Sequence, residues 1–428
     1  MMCHKETDFK DSPIGKIPKD WEVRGLESIC EKVKAGGTPL TTNKNYWNGN
    51  IPFVKIEDMT TSGKYLERTQ SFISKDGLTN SSAWMVPEDS LLLAMYGSMG
   101  EMSINKISVA TNQAILGIIP KNREDVDFLY YWYLFFKPNW KRYAKPTTQA
   151  NLTAEIVRGS LILLPSEQER RAIVGVLSVV DAAVRLVDEV IAKTERLKKG
   201  LMQELLTKGI GHTEYKDTSI GKTPKTCQIV EFKEIIDIMS GQYFKFSEFD
   251  EKGVRCLKID NVGFGKVVWE TTTFLPDNYV EKYPELVLND GDIVLALNRP
   301  IIDNKVKVGI LKKEDAPSIL YQRVGKIIIK DTSQVDRRFL IYTFTGEYFK
   351  RQLTCSLIGT DQPYIRTPVL LKIRIPLPPI PEQQRIVEIF SQVDKKLELE
   401  RSEKAKLEKV KRGLMDLLLT GKVRVKVD

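Results

Sequence analysis

Residues 173–191 read IVGVLSVVDAAVRLVDEVI, and residues 386–404 read IVEIFSQVDKKLELERSEK. Both stretches belong to one long repeat, because residues 147–207 and 360–420 align at a constant offset of 213 with 22 identities in 61 positions. A repeat of this length indicates two copies of one structural module. We therefore expect a duplicated architecture.

Each copy contains a heptad seam, in which apolar or small residues alternate at steps of four and three. Such a seam predicts a long helix that packs along one stripe. The expected seam residues are, in the first copy, Ile173, Leu177, Val180, Val184, Val187 and Ile191 and, in the second, Ile386, Phe390, Val393, Leu397 and Leu407. Glu400 and Lys404 make the second seam polar at its middle. The first helix is expected over residues 167–208, which at ~1.5 Å per residue is roughly 60 Å long.

The residues outside the two seams alternate short β-branched runs with turns rich in Gly, Asn, Asp and Pro, and a further helix is expected at Val126–Phe136. Two copies in one chain close only about a two-fold axis, which makes equivalent helices antiparallel. We therefore predict an α+β fold with two mixed, strand-rich domains in a pseudo-two-fold arrangement, separated by two long antiparallel helices that form a coiled coil. The expected boundaries are 1–155 for the first domain, 156–210 for the central helix, 211–370 for the second domain and 371–428 for the C-terminal helix.

The bulk composition restricts the class of protein. The net charge of +9 and the pI near 9.0 favour an anionic partner such as nucleic acid, although a solvated Lys-rich surface explains them equally well. The five cysteines are far apart and form no Cys-x-x-Cys pair, which argues against a disulfide framework and fits a reducing cytoplasm. No apolar run approaches about 18 residues, and residues 1–19 are polar, so we expect neither a membrane span nor a secretory signal.

The residue types that enzymes use are scarce. The two histidines, His4 and His212, lie in polar end or linker segments and support no nucleophilic triad and no His/Cys metal cluster. Gly221-Lys222-Thr223 resembles the end of a phosphate-binding loop, but Lys216 stands where the leading glycine is required. Asp290, Asp292 and the later Asp303-Asn304-Lys305 could belong to a metal-nuclease pattern, but the first copy does not repeat it, which favours a surface loop. We expect no catalytic residue, no metal and no cofactor.

Polar and aromatic side chains are concentrated in the loops of both strand-rich domains. Asn, Gln and Arg match the edges of adenine and guanine, while Lys side chains and Gly amides hold phosphates. The candidate nucleic-acid contacts are Lys34, Gly37, Thr38, Lys44, Tyr46, Trp47, Tyr96, Ser98, Asn112, Gln113, Lys145, Thr148 and Gln149 in the first copy and Gln242, Tyr243, Lys245, Asn298, Arg299, Lys305, Gln322, Arg323, Thr360, Asp361 and Gln362 in the second. Ordinary turn chemistry is the alternative for any single residue. Because Gln149 and Gln362 match in both copies, a scaffold or backbone role is favoured for this pair.

Several short motifs follow one another in a distinctive order: IGKIPKDW at 14–21, GGTP at 36–39, the helix starts PSEQ at 165–168 and PIPEQQRI at 379–386, and the endings GLMQELLT at 200–207 and GLMDLLLT at 413–420. Taken together, and over nearly the whole chain, they resemble the specificity subunit of type I restriction-modification enzymes. The second copy departs from the pattern at two places. Cys227 stands in place of the opening tryptophan, and Gly241 lacks the Gly-Thr-Pro continuation.

The resemblance implies a non-catalytic subunit that recognises double-stranded DNA. Its two target-recognition domains would each contact one half of a split, asymmetric site, and the helix pair would set the spacer. It also implies two methyltransferase subunits docked on the helices, restriction-translocase subunits that join for cleavage, a cytoplasmic location and no membrane contact. Two alternatives remain at this point: a nucleic-acid-binding scaffold without sequence preference, and an enzyme with its own methyltransferase or nuclease site.

Overall fold

The computed structural model describes residues 3–140 and 152–425, and the chain divides into two compact units. Unit 1 combines the described residues up to Asp188 with those from Ser402 onward, and unit 2 spans Glu189–Arg401. Both boundaries between the units fall inside long helices. Each unit therefore contains one strand-rich part and one section of each long helix.

The chain up to Leu164 consists mainly of short strands. These strands are β1 (Cys3–Lys5), β2 (Phe9–Ser12), β3 (Gly15–Pro18), β4 (Glu22–Gly25), β5 (Cys30–Ala35), β6 (Ile51–Val54), β7 (Tyr65–Leu66), β8 (Ser71–Ile73), β9 (Met85–Val86), β10 (Ser90–Ala94), β11 (Met102–Asn105), β12 (Val109–Thr111), β13 (Ile115–Pro120) and β14 (Leu161–Leu164). The helices are α1 (Leu26–Ile29), α2 (Ile56–Ser62), α3 (Lys75–Thr79), α4 (Val126–Phe136) and α5 (Ala154–Arg158), with 3-10 turns at Lys44–Trp47, Arg123–Asp125 and Lys137–Asn139. Helix α4 confirms the helix predicted at these residues.

The central long helix, α6, spans Glu167–Lys208, as the heptad seam predicts. At its start the Ser166 hydroxyl accepts a hydrogen bond from the Glu169 amide at 3.3 Å, which satisfies one of the free N–H groups of the first turn. The helix ends before Gly209, whose φ of +65° is the left-handed conformation that commonly follows a helix C-terminus. Local sequence therefore fixes both ends of this helix.

The rest of the chain repeats the pattern of strands followed by a long helix. The strands are β15 (Tyr215–Thr218), β16 (Gly221–Pro224), β17 (Gln228–Glu231), β18 (Ile236–Ser240), β19 (Val254–Leu257), β20 (Phe274–Leu275), β21 (Val287–Leu288), β22 (Ile293–Ala296), β23 (Ile301–Ile302), β24 (Lys305–Val306), β25 (Val308–Ile310), β26 (Ser318–Leu320), β27 (Val324–Ile329), β28 (Arg374–Leu377) and β29 (Val423–Val425). The helices are α7 (Phe232–Ile235), α8 (Tyr279–Lys282), α9 (Arg337–Thr345), α10 (Glu347–Cys355), α11 (Thr367–Leu370) and α12 (Ile380–Leu419), with 3-10 turns at Phe246–Glu248, Ile259–Asn261, Pro284–Leu286 and Lys313–Asp315. Within the described part of the chain, no helix has both the length and the hydropathy needed to cross a membrane.

The two units share one strand topology. In unit 1 the larger sheet has the order β5-β13-β10-β11-β7 and the smaller one β8-β6-β12-β9; in unit 2 the orders are β18-β27-β22-β25 and β20-β19-β26-β21. The pairings also agree in direction, since β12 is parallel to β6 and β26 is parallel to β19, while the other equivalent pairs are antiparallel. The duplication seen in the helices therefore extends through the whole module, and β7 is an addition in unit 1.

In each unit the larger sheet packs against a helix of its own domain and against a long helix. In unit 1, Leu91 of β10 and Tyr131 of α4 are buried in one core with Ile173 and Leu177 of α6. In unit 2, Phe339 and Phe344 of α9 share a core with Ile386 and Phe390 of α12. Fully burying such a side chain stabilises a fold by about 1.5–3 kcal/mol. The predicted seam residues at the start of each long helix thus bind the helix to its domain.

The long helices are antiparallel in both units. In unit 1, Asp181 and Asp188 of α6 form ion pairs with Lys411 and Lys404 of α12, at 2.5 and 2.6 Å. Residue numbers therefore rise along one helix while they fall along the other. The ion pair between Asp188 and Lys404 also explains why the middle of the second seam is polar.

Unit 2 shows the same arrangement with the helices in exchanged roles. Lys198 of α6 pairs with Asp394 of α12 at 2.5 Å, and Glu195 pairs with Arg401 at 2.6 Å. At the repeat offset of 213, Asp394 corresponds to Asp181 and Lys198 to Lys411. The same aspartate-lysine ion pair therefore occurs once in each unit, and it specifies the antiparallel register there.

A mostly buried arginine, Arg424, connects three carboxylates of unit 1 where α6 begins. The guanidinium of Arg424 donates hydrogen bonds to Glu169 at 2.7 and 2.8 Å, to Glu6 at 2.6 Å and to Asp20 at 2.7 and 2.9 Å. The Trp21 indole also donates to Glu169 at 3.1 Å. These contacts raise the pKa of Arg424, with the hydrogen bond to Glu169 as the largest cause, so the charge is secure at neutral pH. They connect strands and helix ends that are far apart in sequence.

Unit 2 holds the equivalent carboxylate in a different way. Glu382 corresponds to Glu169, and it accepts hydrogen bonds from the Ile210 amide at 2.9 Å and pairs with the His212 ring at 2.8 Å. Cys227, which replaces the tryptophan of the first copy, is buried and directly precedes β17. The departure at Cys227 therefore accompanies a new set of partners for the same glutamate.

We predict that Arg424→Met lowers the free energy of unfolding of unit 1 by about 3–5 kcal/mol, because it leaves the buried Glu169 carboxylate without its cation. Urea denaturation followed by tryptophan fluorescence measures this change, since Trp21 is in contact with the arginine. Lys422→Met is the matched control: its ion pair with Asp416 is about half exposed, and its loss is expected to cost at most about 1 kcal/mol. Equal effects of both substitutions would contradict the role given to Arg424.

Candidate nucleic-acid interface

Three loops of unit 1 meet at one end of its larger sheet. The Gly37 amide donates to the Thr111 carbonyl at 2.9 Å, and the Thr38 hydroxyl donates to the Gln113 side chain. The Ala114 carbonyl in turn accepts from Met95 at 2.8 Å, which brings in the loop that carries Tyr96 and Ser98. We call residues 36–38, 95–98 and 112–114 loop cluster 1. Of the predicted contacts, it contains Gly37, Thr38, Tyr96, Ser98, Asn112 and Gln113.

Other candidates of unit 1 have different surroundings. Lys34 is exposed on β5, and Lys44 is exposed at the start of a 3-10 turn. In that same turn Trp47 packs edge-on against Phe53 with ring centres 5.2 Å apart, and the Tyr46 carbonyl accepts from the Ser74 amide at 2.9 Å. Tyr46 and Trp47 therefore support the smaller sheet, which is a scaffold role. Three further candidates, Lys145, Thr148 and Gln149, lie outside the described residues.

Four loops of unit 2 meet in the corresponding place. The Gln322 amide donates to the Gln242 carbonyl at 3.0 Å, and the Arg323 carbonyl accepts from Leu297 at 2.8 Å. The Arg299 amide donates to the Pro363 carbonyl at 2.6 Å, which joins the hairpin at 358–364. We call residues 241–245, 297–299, 321–323 and 358–364 loop cluster 2.

Most candidates of unit 2 belong to this cluster. They are Gln242, Tyr243, Lys245, Asn298, Arg299, Gln322, Arg323, Thr360, Asp361 and Gln362. Asn298 and Gln322 are half-buried, and the others are exposed. Lys305 is exposed on the separate β23–β24 hairpin, with its ammonium 5.8 Å from the Phe264 ring. The chain thus brings together residues that are separated by more than one hundred positions in sequence.

Burial affects one tyrosine in each cluster. It raises the pKa of Tyr96 in loop cluster 1 and of Tyr321 in loop cluster 2, which moves both phenols further from ionisation. Burial also lowers the pKa of Lys307, which donates at 2.6 Å to the Ile259 carbonyl below the cluster. Among residues 3–140 and 152–425, no group of three or more His, Cys, Asp or Glu side chains is arranged to hold a metal ion.

Sequence reasoning missed two properties of these clusters. Phe246 is 91% exposed directly after Lys245, and only its place in a run of aromatic and basic residues could have drawn attention to it. Arg299 and Arg323 adopt positive φ angles of 44° and 67°, which are uncommon for residues other than glycine. No sequence pattern indicates that second property, because it arises from the loop contacts.

The family described as "Type I restriction modification DNA specificity domain" matches residues 18–196 and 224–409. The MjaVIII type I restriction enzyme specificity subunit of Methanocaldococcus jannaschii is 41% identical over 431 aligned positions, which cover 100% of this chain and 98% of that protein. Both matches extend across the two units.

Solved structures share the fold. A chain from a study of complex assembly and conformational transition of the type I R-M system has a TM-score of 0.59 at 19% identity, covering 95% of this chain and 99% of that one. The S subunit of a type I restriction-modification system from M. genitalium has a TM-score of 0.54 at 15% identity, covering 93% and 96%. At these identities the likeness concerns the fold alone.

We predict that Gly36→Ala and Gly241→Ala each destabilise their unit by about 1–3 kcal/mol and displace the loop that follows. A Cβ at Gly36 would overlap the Thr111 carbonyl oxygen, and one at Gly241 would overlap the Tyr321 carbonyl oxygen. The control is Gly200→Ala in α6, where a Cβ meets no atom within 4 Å and which should stabilise the helix by up to about 1 kcal/mol. Thermal melting of the three variants decides the matter: similar melting temperatures would argue against close packing of these loops.

Proposed function

The chain belongs to the family of type I restriction-modification specificity subunits, and we propose that it recognises a split, asymmetric site in double-stranded DNA. In this proposal loop cluster 1 contacts one half of the site and loop cluster 2 contacts the other half. The single observation that carries it is the combination of one shared scaffold with two different sets of exposed polar side chains. Two such domains suit two different half-sites.

The composition of the clusters supports contact with DNA. Amide and guanidinium groups can form paired hydrogen bonds with base edges, and the exposed lysines can neutralise phosphates. The net charge of +9 strengthens attraction to the DNA backbone at low ionic strength. Binding to all sequences alike would instead favour the scaffold alternative.

The long helices are proposed to set the unread spacer between the half-sites. A helix pair with fixed antiparallel register is stiff, and domains that contact one face of B-DNA must be separated by about 34 Å or a multiple of it. The ion pairs of Asp181 and Lys198 with α12 support such a fixed register in each unit.

We further propose that methyltransferase subunits dock on the helices and that restriction-translocase subunits join the complex for cleavage. Helix α6 carries exposed apolar residues in each unit: Val179 and Leu186, seven positions apart, in unit 1, and Val190 and Leu197, also seven positions apart, in unit 2; their exposed fractions are 40–70%. Apolar residues at this spacing are typical of a helix that packs against another helix. Methyl transfer and cleavage are thus assigned to the partners, and this chain acts in the cytoplasm as the non-catalytic recognition subunit.

The direct test is a map of methylated adenines in the genome of the organism that carries this gene, with the gene intact and deleted. We expect one split, asymmetric sequence motif to lose its methylation upon deletion. A methylation pattern that is unchanged by deletion, or a loss that follows no sequence motif, would contradict the proposal.

Lengthening both helices tests the spacer. The insertions belong after Asp188 and after Arg401, where the boundaries between the units lie, so that the contacts within each unit are kept. Three added heptads per helix extend the pair by about 32 Å, close to one turn of B-DNA, and preserve the seam. We expect the methylated motif to keep both half-sites and to gain about 9–10 unread base pairs.

The matched control inserts the same heptads into α6 alone, which puts the two helices out of register and should abolish methylation. If the double insertion changed the bases of either half-site, or left the spacer length as it was, the helices would not set the spacing.

A further inference from the structure

Loop cluster 2 carries an arginine at a position where loop cluster 1 carries a small buried residue. The Ala114 carbonyl accepts from the Met95 amide at 2.8 Å, and the Arg323 carbonyl accepts from the Leu297 amide at 2.8 Å. Because these hydrogen bonds connect equivalent strands, Arg323 occupies the place of Ala114. Ala114 is buried, whereas the Arg323 side chain is exposed.

A second arginine occupies a backbone position that suits glycine. Arg299 lies two residues after Leu297, as Gly97 lies two residues after Met95, and both have positive φ angles, 44° for Arg299 and 77° for Gly97. A side chain disfavours this conformation, and Arg323 adopts it as well. Residues kept in such a conformation are concentrated at functional sites. Glycine would adopt the backbone conformation at both positions with less strain.

Both guanidinium groups are available to a ligand. Arg299 and Arg323 are exposed, and neither forms an ion pair with another residue in the described part of the chain. By contrast, Arg374 and Arg401 of the same unit are paired with glutamates at 3.2 and 2.6 Å. The hydrogen bond from the Arg299 amide to Pro363 fixes the backbone from which its side chain projects.

We propose that Arg299 and Arg323 each recognise a guanine in the half-site bound by unit 2. This inference rests on the proposed function. A guanidinium donates two parallel hydrogen bonds to O6 and N7 of guanine in the major groove, a geometry that requires a defined approach of the side chain. Neutralising a phosphate requires a less exact geometry, and the exposed ammonium groups of Lys245 and Lys305 can do this.

The two half-sites then differ for a structural reason. The positions equivalent to Arg299 and Arg323 are Gly97 and Ala114, neither of which has a side chain that can donate a hydrogen bond to guanine. Loop cluster 1 instead presents the Thr38 hydroxyl bonded to the Gln113 amide. The half-site bound by unit 1 therefore lacks the two guanine contacts that unit 2 makes.

The test uses Arg299→Gly and Arg323→Gly in the full-length chain, expressed from its own gene, with methylated adenines mapped across the genome. Glycine removes the side chain and suits the backbone, so folding is preserved. Each variant should lose the requirement for guanine at one position of one half-site. The preference for guanine over other bases there should fall at least about fivefold, while the other half-site stays the same.

Asp303→Gly is the matched control, because Asp303 also has a positive φ, 49°, but lies on the β23–β24 turn outside loop cluster 2. It should leave the motif unchanged. The inference is overturned if neither half-site contains guanine, if the arginine variants weaken methylation equally at all sites, as phosphate contacts would, or if Asp303→Gly relaxes the motif too. Deletion of the gene distinguishes this inference from the proposed function. If methylation of the motif is lost on deletion but is unchanged in both arginine variants, only this inference is contradicted.

Discussion

The antiparallel pairing of α6 with α12 within each unit positions the strand-rich parts that pack on these helices. Each repeat supplies an aspartate and, seventeen positions later, a lysine, and only an antiparallel pairing brings the aspartate of one helix to the lysine of the other. Partly exposed ion pairs add little stability, but an incorrect register would place like charges or apolar and charged groups together. The charges therefore select one register, and the buried seam residues supply the energy.

The same aspartates connect the helices to the domains. Tyr131 of α4 donates to Asp181 at 2.7 Å, and Tyr342 of α9 donates to Asp394 at 2.9 Å. A charge-assisted hydrogen bond of this kind is stronger and more directional than one between neutral groups. In each unit, one residue thus sets the helix register and orients the domain that carries the loops.

The two units share a scaffold but differ in their loop residues. The strand orders of the units agree, and Gly36 and Gly241 occupy the same close contact beneath the loop clusters. On this common base, the exposed positions differ freely, as between Gly97 and Arg299. A shared scaffold can therefore present unlike surfaces, because exposed loop residues contribute little to the free energy of folding and are not restricted by the core.

The duplication, the extents of α6 and α4 and the heptad seam could all be predicted from the sequence, because heptad spacing, caps and internal identity are local or linear properties. From the sequence, residues 371–428 are assigned to the C-terminal helix, whereas α12 spans Ile380–Leu419. Residues 374–377 form β28 through pairing with the distant β17, which no local pattern indicates. Likewise, the hydrogen bond between Tyr46 and Ser74 and the positive φ of Arg299, whose amide bonds to Pro363, depend on segments that are distant in sequence. Which polar loops meet is evident only in the folded chain, because it depends on long-range strand pairing and not on the residues of the loops themselves.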